Sequence, residues 1–170
     1  GNADNMALSC GSDRMSLGGE WRMKLASDLN AVAKVPVNPV DNPFIPTVLY
    51  NAMIRPLVPY AVRGAIWYQG ENNAPRAYRY RDLLPQMIAS WRNDWNRQFP
   101  FLIVQLANYM QRKDQPAESE WAELREAQLL TSEAVAGSGL AVAVDVGLAD
   151  DIHPTDKQTV GERLSLVARR

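Results

Sequence analysis

The sequence holds one cysteine and one histidine among 170 residues. Cys10 has no second cysteine to pair with, so a disulfide framework is excluded and cysteine usage leaves the compartment open. A metal held by Asp145, Asp150, Asp151 and His153 can be weighed. With a lone histidine and no cysteine cluster, however, the ligand spacing gives zinc no support. Charge of one sign is also lacking: 18 basic side chains face 19 acidic ones, for a formal net charge of -1. No single-sign field calls for nucleic acid or an anionic membrane as partner. No apolar run reaches the length that crosses a bilayer. Internal repeats, low-complexity stretches and Gly-rich phosphate loops are missing too, and the last argues against a nucleotide site. The polar start Gly1-Asn2-Ala3-Asp4-Asn5 has neither an initiating methionine nor a signal-peptide core, which leads us to expect a missing upstream segment.

What is present fits one domain of ordinary globular composition, with 46% hydrophobic and 22% charged residues. Residues 1–45 are poorly patterned. Gly11, Gly18 and Gly19 break them early, Pro36, Pro39, Pro43 and Pro46 punctuate their end, and a short helix over residues 21–35 is the most they offer. Pro46 suits the first position of a helix over residues 47–54. Residues 46–170 carry the core pattern. Ala65-Ile66-Trp67-Tyr68, Phe101-Leu102-Ile103-Val104 and Leu140-Ala141-Val142-Ala143-Val144 are continuous apolar runs, as expected of parallel strands covered on both faces.

Helical spacing separates and follows these runs. Tyr80, Leu83, Leu84, Met87, Ile88, Trp91 and Trp95 form one stripe, in which Pro85 predicts a fresh helix start near Asp82. Trp121, Leu124, Ala127 and Leu130 form a second, with Glu118 and Glu120 in its first turn. Val160, Leu164 and Val167 form a third after Pro154. Strand alternating with helix predicts an α/β fold.

In such a sheet, ligands bind beyond the carboxyl ends of the strands. The first strand runs into Gln69-Gly70-Glu71-Asn72-Asn73, the second into Gln105 and Asn108, and the third toward Asp145 and Asp150-Asp151-Ile152-His153-Pro154. All three deliver polar groups to one edge. His153 alone could be a surface histidine beside a helix start. The adjacent Asp150 and Asp151 favour a catalytic reading, because a carboxylate can hold one ring nitrogen protonated while the other accepts a proton. A helix start at Pro154 would help keep that imidazole neutral. The Gln69–Asn73 turn is either a plain strand-to-helix connection or a set of amide donors for an oxyanion. The tryptophans read as core, with Trp67 supporting the turn from behind.

Gly64-Ala65-Ile66-Trp67-Tyr68-Gln69-Gly70-Glu71-Asn72-Asn73 resembles an internal block of the sialate O-acetylesterases, in the SGNH superfamily of esterases. Asp151-Ile152-His153-Pro154-Thr155-Asp156-Lys157-Gln158 is similar to the same family's C-terminal catalytic block. The stretches Phe101–Tyr109 and Trp121–Gln128 match between them in order, so the resemblance covers roughly residues 45–170. It implies a flavodoxin-like three-layer α/β/α sandwich and hydrolysis of O-acetyl esters of sugars, sialic acid being the usual one. It also implies no cofactor. In this chemistry a serine attacks the acetyl carbonyl, histidine takes its proton, and water hydrolyses the acyl-enzyme.

Carried over, the resemblance makes His153 the general base. Asp150 fits the superfamily's Asp-x-x-His spacing and Asp151 the Asp-Ile-His-Pro arrangement of bacterial members. Asp151 is slightly preferred, and Glu71 is a third candidate acid. Asn72 falls at the superfamily's oxyanion asparagine, where sialate esterases commonly have serine. Gln69 and Gly70 are further oxyanion or substrate-binding candidates. Bacterial members are often exported, which points to a periplasmic or secreted location.

The family's Gly-Gln-Ser-Asn-Met-like nucleophile block has no counterpart. Cys10-Gly11-Ser12-Asp13-Arg14-Met15 is faintly similar, but only Met6-Ala7-Leu8 precedes it, too short for a buried strand, so Ser12 reads as a loop serine. The superfamily's sheet has five parallel strands and three are recognisable here. The expectation is therefore a truncated chain or a gene fragment, the C-terminal part of an esterase domain missing its first strands. Self-association through the uncovered apolar face is expected. Two other readings stand beside esterase action on sialic acid: a catalytically inactive carbohydrate-binding remnant, and an acetyl-xylan esterase.

Overall fold

The computed structural model describes residues 7–10, 12–16 and 45–170. The chain divides into two compact units, Gly1–Ile45 and Pro46–Arg170, at the point where the hydrophobic pattern begins. In the first unit β1 (Ala7–Cys10) and β2 (Asp13–Ser16) form an antiparallel hairpin, with Cys10 opposite Asp13. Ser12 is exposed in its turn. A strand thus lies directly before Ser12, where the short Met6-Ala7-Leu8 stretch gave little basis to expect one, and the turn leads into a second, antiparallel strand. The helix considered over residues 21–35 lies outside the described residues.

The second unit is an α/β structure. Its strands β3 (Ala65–Trp67), β4 (Phe101–Val104) and β5 (Ser138–Ala141) make a parallel sheet in the order β3-β4-β5. Ala65 lies beside Phe101, and Phe101 beside Ser138. The helices are α1 (Ala77–Asp94), α2 (Glu120–Ala134) and α3 (Lys157–Ala168). Alternation along β4 sorts its neighbours. Phe101 and Ile103 enter a core with Tyr80, Leu84 and Ile88 of α1 and Trp121, Leu124 and Ala127 of α2. On the other face, Gly139 leaves room for Val167 of α3, and a Cβ there would also meet Leu102. Val104, Ala143 and Val160 form a smaller cluster. Each fully buried large apolar side chain contributes roughly 1.5–3 kcal/mol.

The strand and helix order matches expectation, but several boundaries do not. Helix α1 is unbroken through Pro85. Proline removes one intrahelical hydrogen bond, yet Tyr80, Leu84, Ile88 and Arg92 stay buried on a four-residue repeat, and that packing carries the helix across it. Strand β5 starts earlier than its apolar run and stops at Ala141. Val142 and Val144 are exposed, and only Ala143 of the last three is buried.

Pro46 does not start a helix, because Thr47 has φ 72, outside the helical region. Helical backbone begins one residue later, at residues 48–49, and continues as a π-helical turn over Tyr50–Ile54, so most of the expected helix is present. Pro154 is buried ahead of α3, whose N-cap is Asp156, with the carboxylate accepting from the Thr159 N–H. His153 thus precedes the helix by several residues, and the helix-start argument for its neutrality falls away. In α2 the N-cap is Ser119, so the first-turn acids are Glu120 and Glu123, and Glu118 lies before it.

Arg92, only 6% exposed, secures the end of the sheet opposite the polar edge. Its guanidinium donates to the carbonyls of Phe99 at 3.0 Å, Ala136 at 2.9 Å and Gly137 at 3.3 Å. The planar fork suits three carbonyls that converge from two loops.

Candidate active site

Parallel pairing puts the carboxyl ends of β3, β4 and β5 on one edge. After β3 the backbone turns sharply at Gly70, where φ is 153. A Cβ there would lie 2.5 Å from Leu124 Cδ2 and 3.3 Å from Gln128 Nε2, so both the conformation and the space require glycine. Glu71–Arg76 then form a 3-10 helix leading into α1. The Gly70 N–H donates to Glu71 Oε2 at 2.8 Å. A backbone donor here already holds an anionic oxygen.

Gln69 faces a polar relay. Trp67 Nε1 donates to the Tyr80 hydroxyl at 3.0 Å, and that hydroxyl donates to Gln69 Oε1 at 3.0 Å. Gln69 Nε2 donates to Asn73 Oδ1 at 2.9 Å. Burial pushes the Tyr80 phenol up to about 12, so it remains a donor near neutrality. The side-chain amide of Gln69 is therefore tied to α1 and its entry helix. Asn72 is exposed.

The β4 end and the histidine loop are joined. Asn108 Oδ1 accepts the Gly147 N–H at 2.7 Å, and the Met110 N–H donates to the Ala149 carbonyl at 3.0 Å. Ile152 packs against the main core. Beside it, Asp151 Oδ1 accepts the His153 N–H at 2.8 Å and lies 3.1 Å from His153 Nδ1. That bond from the backbone N–H, followed by the imidazole and Lys157, holds the Asp151 carboxyl below its usual range, against a smaller desolvation effect.

A proton on Nδ1 shared with Asp151 leaves the Nε2 lone pair free to act as a base. Asp150 is exposed, and no hydrogen bond joins it to His153 among the described residues. Asp145, weighed as a site residue, instead forms a two-pronged ion pair with Arg163 of α3, with NH2 to Oδ2 at 2.7 Å. This pairing is the main reason its carboxyl falls to about 2.

Two groups were less visible in the sequence. Lys157 places Nζ 5.0 Å from the centre of the Tyr68 ring, which connects the start of α3 with the residue before Gln69. Gln128 lies on the buried face of α2 and bonds to both strand ends. A polar residue four positions after Leu124 on an apolar stripe was its only signal. The His153 side chain is 82% exposed, so the described residues present the imidazole without walling it in.

The family described as carbohydrate esterase, sialic acid-specific acetylesterase, matches residues 39–167, and the chain belongs to that family. It is 37% identical over 151 residues to the sialate O-acetylesterase of Rattus norvegicus, covering 79% of this chain and 28% of that protein. The sialate O-acetylesterase of Homo sapiens is 31% identical over 180 residues, with 96% and 34% covered. A crystal structure of a carbohydrate acetylesterase from Xanthomonas citri superimposes with a TM-score of 0.68 at 49% identity, covering 74% of this chain and 29% of that one. The chain thus spans about a third or less of the relatives it matches.

Proposed function

We propose that this chain is the C-terminal part of the catalytic domain of a carbohydrate O-acetylesterase acting on O-acetylated sugars, sialic acid first among them. The observation that carries the reading is the Asp151–His153 pair at the same sheet edge as the Gln69-Gly70-Glu71 turn. His153 Nε2 takes the proton of a serine as its oxygen attacks the acetyl carbonyl. Asp151 holds the tautomer and stabilises the imidazolium that forms. The negative oxygen of the tetrahedral intermediate is received by backbone and amide donors of the turn, for which the Gly70 N–H holding a carboxylate oxygen is a precedent. The nucleophilic serine lies outside this chain, as the lack of a Gly-Gln-Ser-Asn-Met-like block suggests.

The sheet belongs to a flavodoxin-like three-layer α/β/α sandwich whose first strands are missing here. Its β3 pairs with β4 on one side, and among the described residues no strand pairs with the other. Ile66 on β3 is 66% exposed. An export route would place the enzyme in the periplasm or outside the cell.

The test is acetate release by the complete gene product from O-acetylated sialic acid, with acetylated xylan beside it. Faster turnover of the sialic acid ester supports the reading, faster turnover of the xylan shifts the substrate, and no release from either contradicts esterase function.

A further inference from the structure

The parallel ladder between β3 and β4 ends at Trp67 beside Ile103. Just beyond that point, the two segments are bridged by a side chain. Gln128 of α2 is fully buried. Its Oε1 accepts the Leu106 N–H at 2.9 Å, and its Nε2 donates to the Gln69 carbonyl at 3.0 Å and reaches the Val104 carbonyl at 3.5 Å. A primary amide carries the same acceptor and donor as a peptide group. Gln128 therefore serves as an extra peptide unit where the two strands diverge.

The Gln69 carbonyl and the Gly70 N–H belong to one peptide plane. In a planar trans peptide these groups point in opposite directions. Drawing the carbonyl toward Gln128, into the core, aims the Gly70 N–H away from it. That N–H is the donor that holds the Glu71 carboxylate oxygen. Leu124 Cδ2 and Gln128 Nε2 would lie 2.5 Å and 3.3 Å from a Cβ placed on Gly70, so both side chains crowd this face of the turn.

We infer that Gln128 is a positioning residue for the oxyanion donor, locking the Gln69–Gly70 peptide so that its N–H stays directed where it now holds the Glu71 carboxylate oxygen, the place the acetyl oxygen takes when that carboxylate turns aside. This rests on the esterase reading. It assigns the buried glutamine a role beyond filling the core, because an apolar side chain of the same shape would fill the volume and leave the peptide free to rotate. A misaligned donor weakens transition-state binding more than substrate binding.

The test uses the complete gene product with Gln128→Met and Gln128→Glu. In this sequence Gln69–Gly70 is the sole Gln-Gly peptide, so 13C-carbonyl glutamine with 15N-glycine labels its signal specifically within the segment. Gln128→Met is expected to shift that signal and lower kcat about 10²-fold, with KM nearly unchanged. Gln128→Glu keeps the acceptor for Leu106 but sets a carboxylate oxygen against the Gln69 carbonyl. Its activity relative to wild type should rise as the pH falls and the new carboxyl becomes a donor. A purely structural glutamine would change melting temperature without this pH signature.

An unmoved peptide signal overturns the inference, and so does a shifted signal with unchanged kcat. If Gln128→Met does not fold, the Gln128→Glu profile decides, a flat ratio across pH counting against us. An inactive wild type removes the esterase reading and the catalytic purpose with it, while the peptide signal still reports whether the clamp exists.

Discussion

Asp151 Oδ1 accepts the backbone N–H of His153 and also lies 3.1 Å from the Nδ1 of the same residue. One carboxylate oxygen thus fixes the loop and orients the ring. Asp150 makes no such pairing. Replacement of Asp151 with Asn in the complete gene product is therefore expected to lower kcat by about 10²- to 10⁴-fold, with Asp150→Asn within a few fold of wild type. Steady-state acetate release checks this, and a larger loss from Asp150→Asn would reassign the orienting acid.

The Asp145–Arg163 pair gives a second expectation. The Asp145 carboxyl falls from 3.8 to about 2 when folded, chiefly through the Arg163 hydrogen bonds. A depressed folded value means that its contribution is fully present above 3.8 and lost as pH falls through about 2. Carboxyl NMR titration should find Asp145 near 2, and Arg163→Gln should return it toward the ordinary range. An unperturbed titration in the parent protein would contradict the pairing of α3 with the end of β5.

Gly70 tests the turn. At φ 153, with a Cβ position 2.5 Å from Leu124 Cδ2, alanine meets both backbone strain and a side-chain clash. Gly70→Ala should destabilise the fold by about 1–3 kcal/mol in denaturant unfolding. Trimming Leu124 to Ala removes only the clash and opens a cavity, so the double variant should not regain parental stability. A neutral Gly70→Ala would show that the turn relaxes freely.

Hydrophobic runs and helical stripes revealed the three parallel strands, their order and the helices between them, because burial is written in residue type and period. Strand ends and helix starts were less legible. The backbone left Pro85 inside α1 because packing at Leu84 and Ile88 outweighs one lost hydrogen bond, a balance that local propensity does not contain. Adjacency in the chain left both Asp150 and Asp151 as partners for His153; the slight preference for Asp151 came from the family resemblance, and the Asp151–His153 pair is the one the structure shows. The Gln128 bonds to Gln69 and Leu106 join residues far apart in sequence, and a glutamine in an apolar stripe does not announce its partners. The Asp145–Arg163 pair was hidden for the same reason.

The edge of β3 makes a further prediction. Ile66 on β3 and Leu83 on α1 are 66% and 51% exposed, and a strand edge that no strand pairs among the described residues, with apolar side chains exposed on β3 and α1, invites pairing between copies. Gel filtration of the 170-residue chain should show self-association that Ile66→Lys reduces. A clean monomer across concentrations would contradict this.

His153 is proposed as the general base of an O-acetylesterase. Acetate release from O-acetylated sialic acid by the complete gene product, with and without His153→Ala, tests it most directly. Release by the wild type and a fall of at least about 10²-fold in kcat for the variant, with the fold intact by circular dichroism, is the expected result. Equal turnover by the two proteins would contradict it.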